Sequence, residues 1–356
     1  MKYSNYLIPK LPYAHRPIKE KSFIFPITGF ELEYNSKFSI GKIDFVDHRY
    51  LENNIIENDL SSNEMYKRVF KEVRTFAIVN LDSYGNCNEV CKDGNNSLAL
   101  QILKQTIGAI YLSIFNKIDN VDFERRIVIS SKGVHEVDEG LNSYLAIHND
   151  RYVICPNDVD QMLIGKCADF DLNNIKNIIN ILDKPYSEKN EFEKKICKSL
   201  ELIYSIYNES YSRERIIKWS ILLNYLFRET DEQDINSNNI GRKIRIIFNE
   251  IENKLILEYL PRYISPELKR TRKISDIIIN IYSRVRNDIM HGKIDFYTEY
   301  AVCNLEDLII LKVTVMELLT IISGDKYLTE CKDTKGFNEF VERKSKEYIE
   351  MKKANK

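Results

Sequence analysis

From Phe192 to Met351 the apolar residues keep a single period, that of the α-helix. Phe192, Ile196, Leu200, Ile203 and Tyr207 fall on one face, and so do Ile216, Trp219, Leu223 and Phe227. A third helix is predicted from Ile240 to Ile251, and a fourth starts near Ile274 and ends at Gly292. A fifth spans Phe296 to Ile322, and a charged last helix runs from Phe337 to Met351, its docking left open by the sequence. Striped helices joined by short connections bury their stripes against one another, which points to a helical bundle. Trp219, the single tryptophan of the chain, is expected in its core.

The first half reads differently. Strand signals begin at Phe23, and Phe30, Leu32 and Tyr34 alternate with Glu31 and Glu33. A turn at Asn35-Ser36-Lys37 leads to Phe38 and Ile40, and Gly41 shifts the phase towards Ile43 and Phe45 as a bulge does. Thr75 to Leu81 and Ile127 to Ile129 are short predicted strands, and the run Tyr144 to Ile154 is broken at His148-Asn149-Asp150. Ser97 is placed as the N-cap of a helix reaching Phe115, with Leu98, Ile102, Ala109 and Leu112 buried. Leu172, Ile175, Ile178, Ile179 and Leu182 mark another short helix. The expected fold is an α+β domain with a mostly antiparallel sheet over residues 1–185, then an all-helical domain over 190–356, divided at the polar stretch around Pro185.

Composition narrows the functional classes. With 44% hydrophobic and 29% charged residues the chain is of globular type, and 356 residues suffice for two cores. Only 12 Gly and 8 Pro disfavour a fold of many tight turns. The net charge of −1, from 52 basic and 53 acidic residues, supplies no global field for nucleic acid. Between Pro261 and Lys293, however, eight Lys/Arg face three Asp/Glu. A solvated helix face and an RNA path account for that excess equally well. Of seven cysteines only Cys87 and Cys91 are close, without a second pair at metal-ligand spacing, so no zinc site is expected. The Met1–Asn5 segment lacks the apolar core of a signal peptide, and the most apolar helix, Leu305 to Gly324, is interrupted by Glu306, Asp307, Lys312 and Glu317. A reduced, cytoplasmic setting with no membrane partner is the expectation.

The fourth predicted helix carries the chemistry. Ile274, Ile277, Ile278, Ile281, Tyr282, Val285 and Ile289 form its stripe, with Asp276, Ser283, Asn287 and Met290 opposite. Arg286 and His291 are five residues apart and so lie about 140° from each other, flanking the polar face. Gly292 follows as a residue suited to the left-handed C′ position.

Arg286-Asn287-x-x-x-His291-Gly292 at the end of an Ile-rich helix resembles the signature of the HEPN superfamily, whose nuclease members carry Arg-x(4–6)-His with a polar residue after the Arg. The surrounding IINIYSRVRNDIMHGK is most similar to the ApeA-like HEPN group of bacterial defence proteins, and the likeness covers the last half of the chain. It implies a metal-independent endoribonuclease, a toxin or anti-phage effector, built as a homodimer through the helical domain so that two motif helices share one site. It also implies a phage-derived or protein trigger at the N-terminal domain and no cofactor. Arg286, Asn287 and His291 would be its catalytic residues.

The residue types suit that chemistry. Histidine titrates close to working pH and can exchange protons with the 2′-hydroxyl and the 5′-oxygen of RNA. An arginine fork stays charged and binds phosphate through paired hydrogen bonds. Asn287, four residues before His291, is spaced to orient the imidazole, and a helix C-terminus favours its cationic form. Arg284 and Lys293, on either side, are the cations expected to meet RNA. Two other readings remain: a catalytically silent HEPN module that dimerises or binds a partner, and an enzyme in the first half around His135-Glu136 or Asp82, where no partner pattern is seen.

Overall fold

The computed structural model describes residues 22–54, 74–84, 95–115, 128–129, 143–148, 151–156, 162–164, 172–209, 212–228, 235–248, 273–285 and 305–354. The chain divides into two compact units. The first comprises Met1–Ile110, Phe123–Asp171 and Leu182–Glu188; the second comprises Tyr111–Asp122, Leu172–Ile181 and Lys189–Lys356.

The first unit is built on β1 (Ser22–Thr28), β3 (Lys37–Ile40), β4 (Ile43–Asp47), β5 (Thr75–Asn80) and β6 (Val128–Ile129), in the order β3-β4-β5-β1-β6. Every neighbouring pair is antiparallel. Period-two patterning explains the arrangement: Phe38 and Ile40 point inward with Ile43 and Phe45, while Lys37 and Ser39 both bond the Asp44 carboxylate at 2.7 Å. A parallel pair joins β2 (Phe30–Leu32) to β9 (Met162–Ile164), and β7 (Ser143–His148) pairs antiparallel with β8 (Arg151–Pro156). The strand signal broken at His148 is thus a pair of strands, as expected.

Three local expectations are corrected. Gly41 is not a bulge: Ile40 pairs with Ile43, so Gly41-Lys42 is a two-residue hairpin turn with Gly41 at φ +56°. That turn is fastened by Asp183, whose Oδ1 accepts the Lys42 N–H at 2.9 Å and would lie 2.3 Å from a Cβ on residue 41. Tyr34 does not continue its strand. It is 70% exposed in a turn where Ser36 N–H bonds Glu33 O and Asn35 adopts φ +54°, held by Asp47 Oδ2 at 2.9 Å. Arg49 covers the Tyr34 ring at 4.9 Å. Between the sheet elements lies a short helix that periodicity did not announce, α1 (His48–Asn54), and α2 (Asn95–Phe115) starts two residues before Ser97, which therefore sits inside its first turn. Leu98, Ile102, Ala109 and Leu112 are buried as expected.

Helix α3 (Lys176–Asp183) buries Ile178, Ile181 and Leu182, with Ile179 only half-buried. The second unit continues with α4 (Glu191–Tyr207), α5 (Ser212–Phe227), α6 (Ser237–Phe248), α7 (Ile274–Arg284), α8 (Leu305–Ile322), α9 (Asp325–Glu330) and α10 (Thr334–Ala354). A capping box starts α4: Asn190 Oδ1 accepts the Glu193 N–H at 2.9 Å, and the Asn190 N–H donates to Glu193 Oε2 at 3.0 Å. The predicted stripes on α4 and α5 are buried, Trp219 included, except Tyr207, which is half-buried. Every residue of α8 from Asp307 to Met316 is buried, and α8 packs against α5, α6, α7 and α9.

Buried lysines close the C-terminal end of α5, where backbone carbonyls lack helical partners. Lys195 of α4 donates to Arg228 O at 2.6 Å, and Lys243 of α6 donates to Phe227 O at 3.3 Å and to Asn338 Oδ1 at 2.5 Å. Helix α10 docks rather than frays: Phe337 is fully buried, with its ring 5.2 Å from Phe192 and 6.1 Å from Phe227. Phe337→Ala should therefore lower the unfolding free energy by about 3–5 kcal/mol, read from urea denaturation. A loss below about 1 kcal/mol would mean that α10 contributes little to this core.

Candidate functional site

The motif helix enters the structure as α7. Ile274, Ile277, Ile278, Ile281, Tyr282 and Val285 are all buried, as the apolar stripe requires. Asp276 and Ser283, assigned to the other face, are half-buried, and Asn280 is exposed. The Tyr282 hydroxyl donates to Ile235 O at 3.4 Å.

Three features fix this helix in place. Against α6 the approach is close at Gly241, where a Cβ would stand 2.3 Å from the Ile279 side chain and 3.2 Å from Ser275 O. At its start Asp276 receives Arg245 Nη2 at 2.7 Å, and the Arg245 Nε–H reaches the buried Ser275 hydroxyl at 3.4 Å. At its last turn Arg284 donates through Nη2 to Asp307, the third residue of α8. Each charge suits its helix end: acid in the first turn of α7 and of α8, cation in the last turn of α7.

Of the residues singled out from the sequence, Arg284 is described, and its guanidinium is engaged by Asp307. Arg286, Asn287, His291 and Lys293 lie outside the described residues, as do Ile289 and Met290 of the two faces and His135-Glu136 of the first half. The described backbone reaches Val285 still in right-handed helical conformation, φ −61° and ψ −46°, with its N–H bonded to Ile281 O and Tyr282 O. Sequence reasoning counted Asp307 only as a charge interrupting an apolar helix. Its signal was a carboxylate in the first turn of a helix, where the backbone N–H groups favour an anion.

Elsewhere in the second unit, ionisable groups are shifted mainly by burial. Cys197 and Cys331 are buried thiols pushed up to about 11, and Tyr207 is raised beyond the ordinary phenol range by burial against Tyr111, whose ring stacks at 3.8 Å. Glu214 is raised by its hydrogen bond with the Glu209 carboxylate. Among the described residues no group of three or more His, Cys, Asp or Glu side chains is gathered for a metal ion, and no helix is long and apolar enough to cross a membrane.

Burial outweighs ion pairing in holding α7. The Arg245–Asp276 pair is 41% and 45% exposed, which limits its worth to about 0–1 kcal/mol. Asp276→Ala should cost no more than that, whereas Ile278→Ala, at a fully buried position, should cost about 2–5 kcal/mol. Gly241→Val, which drives the α6–α7 contact apart, should cost about 1–3 kcal/mol. Equal losses at Asp276 and Ile278 in chemical denaturation would overturn this ordering.

No family model matches the chain, and neither a curated protein nor a solved structure matches it.

Proposed function

We propose that the chain is a metal-independent endoribonuclease of the HEPN type whose site is formed by Arg286, Asn287 and His291. What supports the reading is the helix that precedes these residues in the chain. Its apolar stripe is buried through Val285 in an all-helical unit, as the amphipathic pattern of the motif requires. If the helical period continues past Val285, Arg286 and His291 fall on the flanks of the polar face.

In this mechanism one imidazole takes the proton of the RNA 2′-hydroxyl and the oxygen attacks the adjacent phosphorus. The arginine forks neutralise the phosphorane, and a second, protonated imidazole delivers its proton to the departing 5′-oxygen. The products are a 2′,3′-cyclic phosphate and a 5′-hydroxyl. Each chain supplies one His291, so acid and base together call for an isologous homodimer that brings two motif helices to one phosphate. Asn287 orients the imidazole and Lys293 meets a neighbouring phosphate. Toxic or anti-phage action, triggered through the first unit, is the biological setting that the family resemblance suggests.

The test is incubation of purified protein with structured and unstructured RNA in excess EDTA. Cleavage should persist and yield cyclic-phosphate ends. His291→Ala and Arg286→Ala should each lose on the order of 10²–10⁴ in rate while melting within about ±0.5 kcal/mol of the parent chain. Absence of cleavage, cleavage abolished by chelator, or products with 3′-hydroxyl ends would contradict the mechanism.

A further inference from the structure

We infer that Asp307 and Arg284 are positioning residues for the motif, an assignment that rests on the nuclease reading above and gives Arg284 a role other than contact with RNA phosphate. The Asp307 side chain is 9% exposed and that of Arg284 34%, so this pair is far more enclosed than the Arg245–Asp276 pair at the other end of α7. A carboxylate so enclosed is costly to leave without its cation. Arg284 would have to abandon it to reach a phosphate.

The pair also sits where it controls most. Asp307 lies in the first turn of α8, the helix buried from Asp307 to Met316, so it is a fixed point of the core. Arg284 lies in the last turn of α7, two residues before Arg286 in the chain. The next residue, Val285, is fully buried. The chain that leads into the motif is thus held through a charge at Arg284 and through packing at Val285. An ion pair between the C-terminal turn of one helix and the N-terminal turn of another satisfies both helix dipoles, giving it a definite geometry. A loosened final turn would displace Arg286 and His291 from the phosphate, and misplacement of about 1 Å costs on the order of 10²-fold in rate.

The two roles of Arg284 predict opposite results for Asp307→Asn. As a positioning residue, Asp307 should show a kcat for a short RNA lowered by on the order of 10-fold to 100-fold on conversion to Asn. KM should change by less than about twofold, and the salt dependence of binding should be unaltered, because no phosphate contact is lost. Asp307→Glu should recover part of the kcat, and hydrogen exchange at the amides of residues 281–285 should quicken in Asp307→Asn alone. Should Asp307→Asn fail to fold, Arg284→Gln breaks the same pair from its more open side and should lower kcat in the same way.

An Asp307→Asn chain that keeps its kcat, or binds RNA more tightly because Arg284 has been released, would overturn the assignment while leaving the nuclease reading intact. A parent chain that does not cut RNA would overturn both.

Discussion

Helix Leu305–Ile322 sets the architecture of the second unit, because ten consecutive residues, Asp307 to Met316, are out of contact with solvent. A helix buried on every side cannot settle on a surface; it has to be surrounded. The single-striped helices α5, α6 and α7 meet that demand by turning their stripes towards it, and α9 covers its far end. Burying a large aliphatic side chain contributes about 1.5–3 kcal/mol, so the apolar residues of this helix and their neighbours outweigh any ion pair on the unit's surface. Several polar groups admitted to this interior are matched: Lys195, Lys243 and Asn338 converge on carbonyls at the end of α5, and Asp307 receives Arg284.

This arrangement places the helix of the candidate site. Its side against α6 is constrained by Gly241, where a larger residue has no room, and its end is tied to the most deeply buried helix of the unit. Under the proposed mechanism, a reacting group a few residues beyond such a helix would have little freedom at its root, the condition for proton transfer at fixed distance. In the proposed mechanism the link from packing to function runs through the last turn of α7 and the Val285 cap.

Much of this was legible in the sequence, for a physical reason. A stripe recurring every three to four residues has one economical burial, so the inward faces of α4, α5 and α7, and the place of Trp219, follow from spacing alone. Alternation in β3 and β4 gave their inward residues in the same way. What escaped was decided by contacts between distant segments. Gly41 read as a bulge because the phase shift is common to a bulge and a tight turn, and only the Ile40–Ile43 pairing separates them. Nothing local marks Lys195 and Lys243 for burial, since nothing around them in the sequence shows that helix carbonyls will gather there. Asn190 fell in a stretch read as a boundary, although Asn-x-x-Glu before an apolar run is a capping-box signal. Asp307 read as an interruption until Arg284 was found against it. The motif itself is carried by residue types and their spacing, and for Arg286, Asn287, His291 and Lys293 the sequence remains the source of the assignment.

The most direct measurement of the shared-site mechanism is subunit mixing. Arg286→Ala and His291→Ala chains, each inactive alone, are unfolded together, refolded as a mixture and assayed on RNA, with association state followed by sedimentation. A site assembled from two chains predicts partial recovery, because mixed dimers bring an intact arginine of one chain and an intact histidine of the other to the same phosphate, with the second proton transfer left to water. A mixture no more active than its components, or a parent chain that sediments as a monomer and cuts RNA at full rate, would contradict the account.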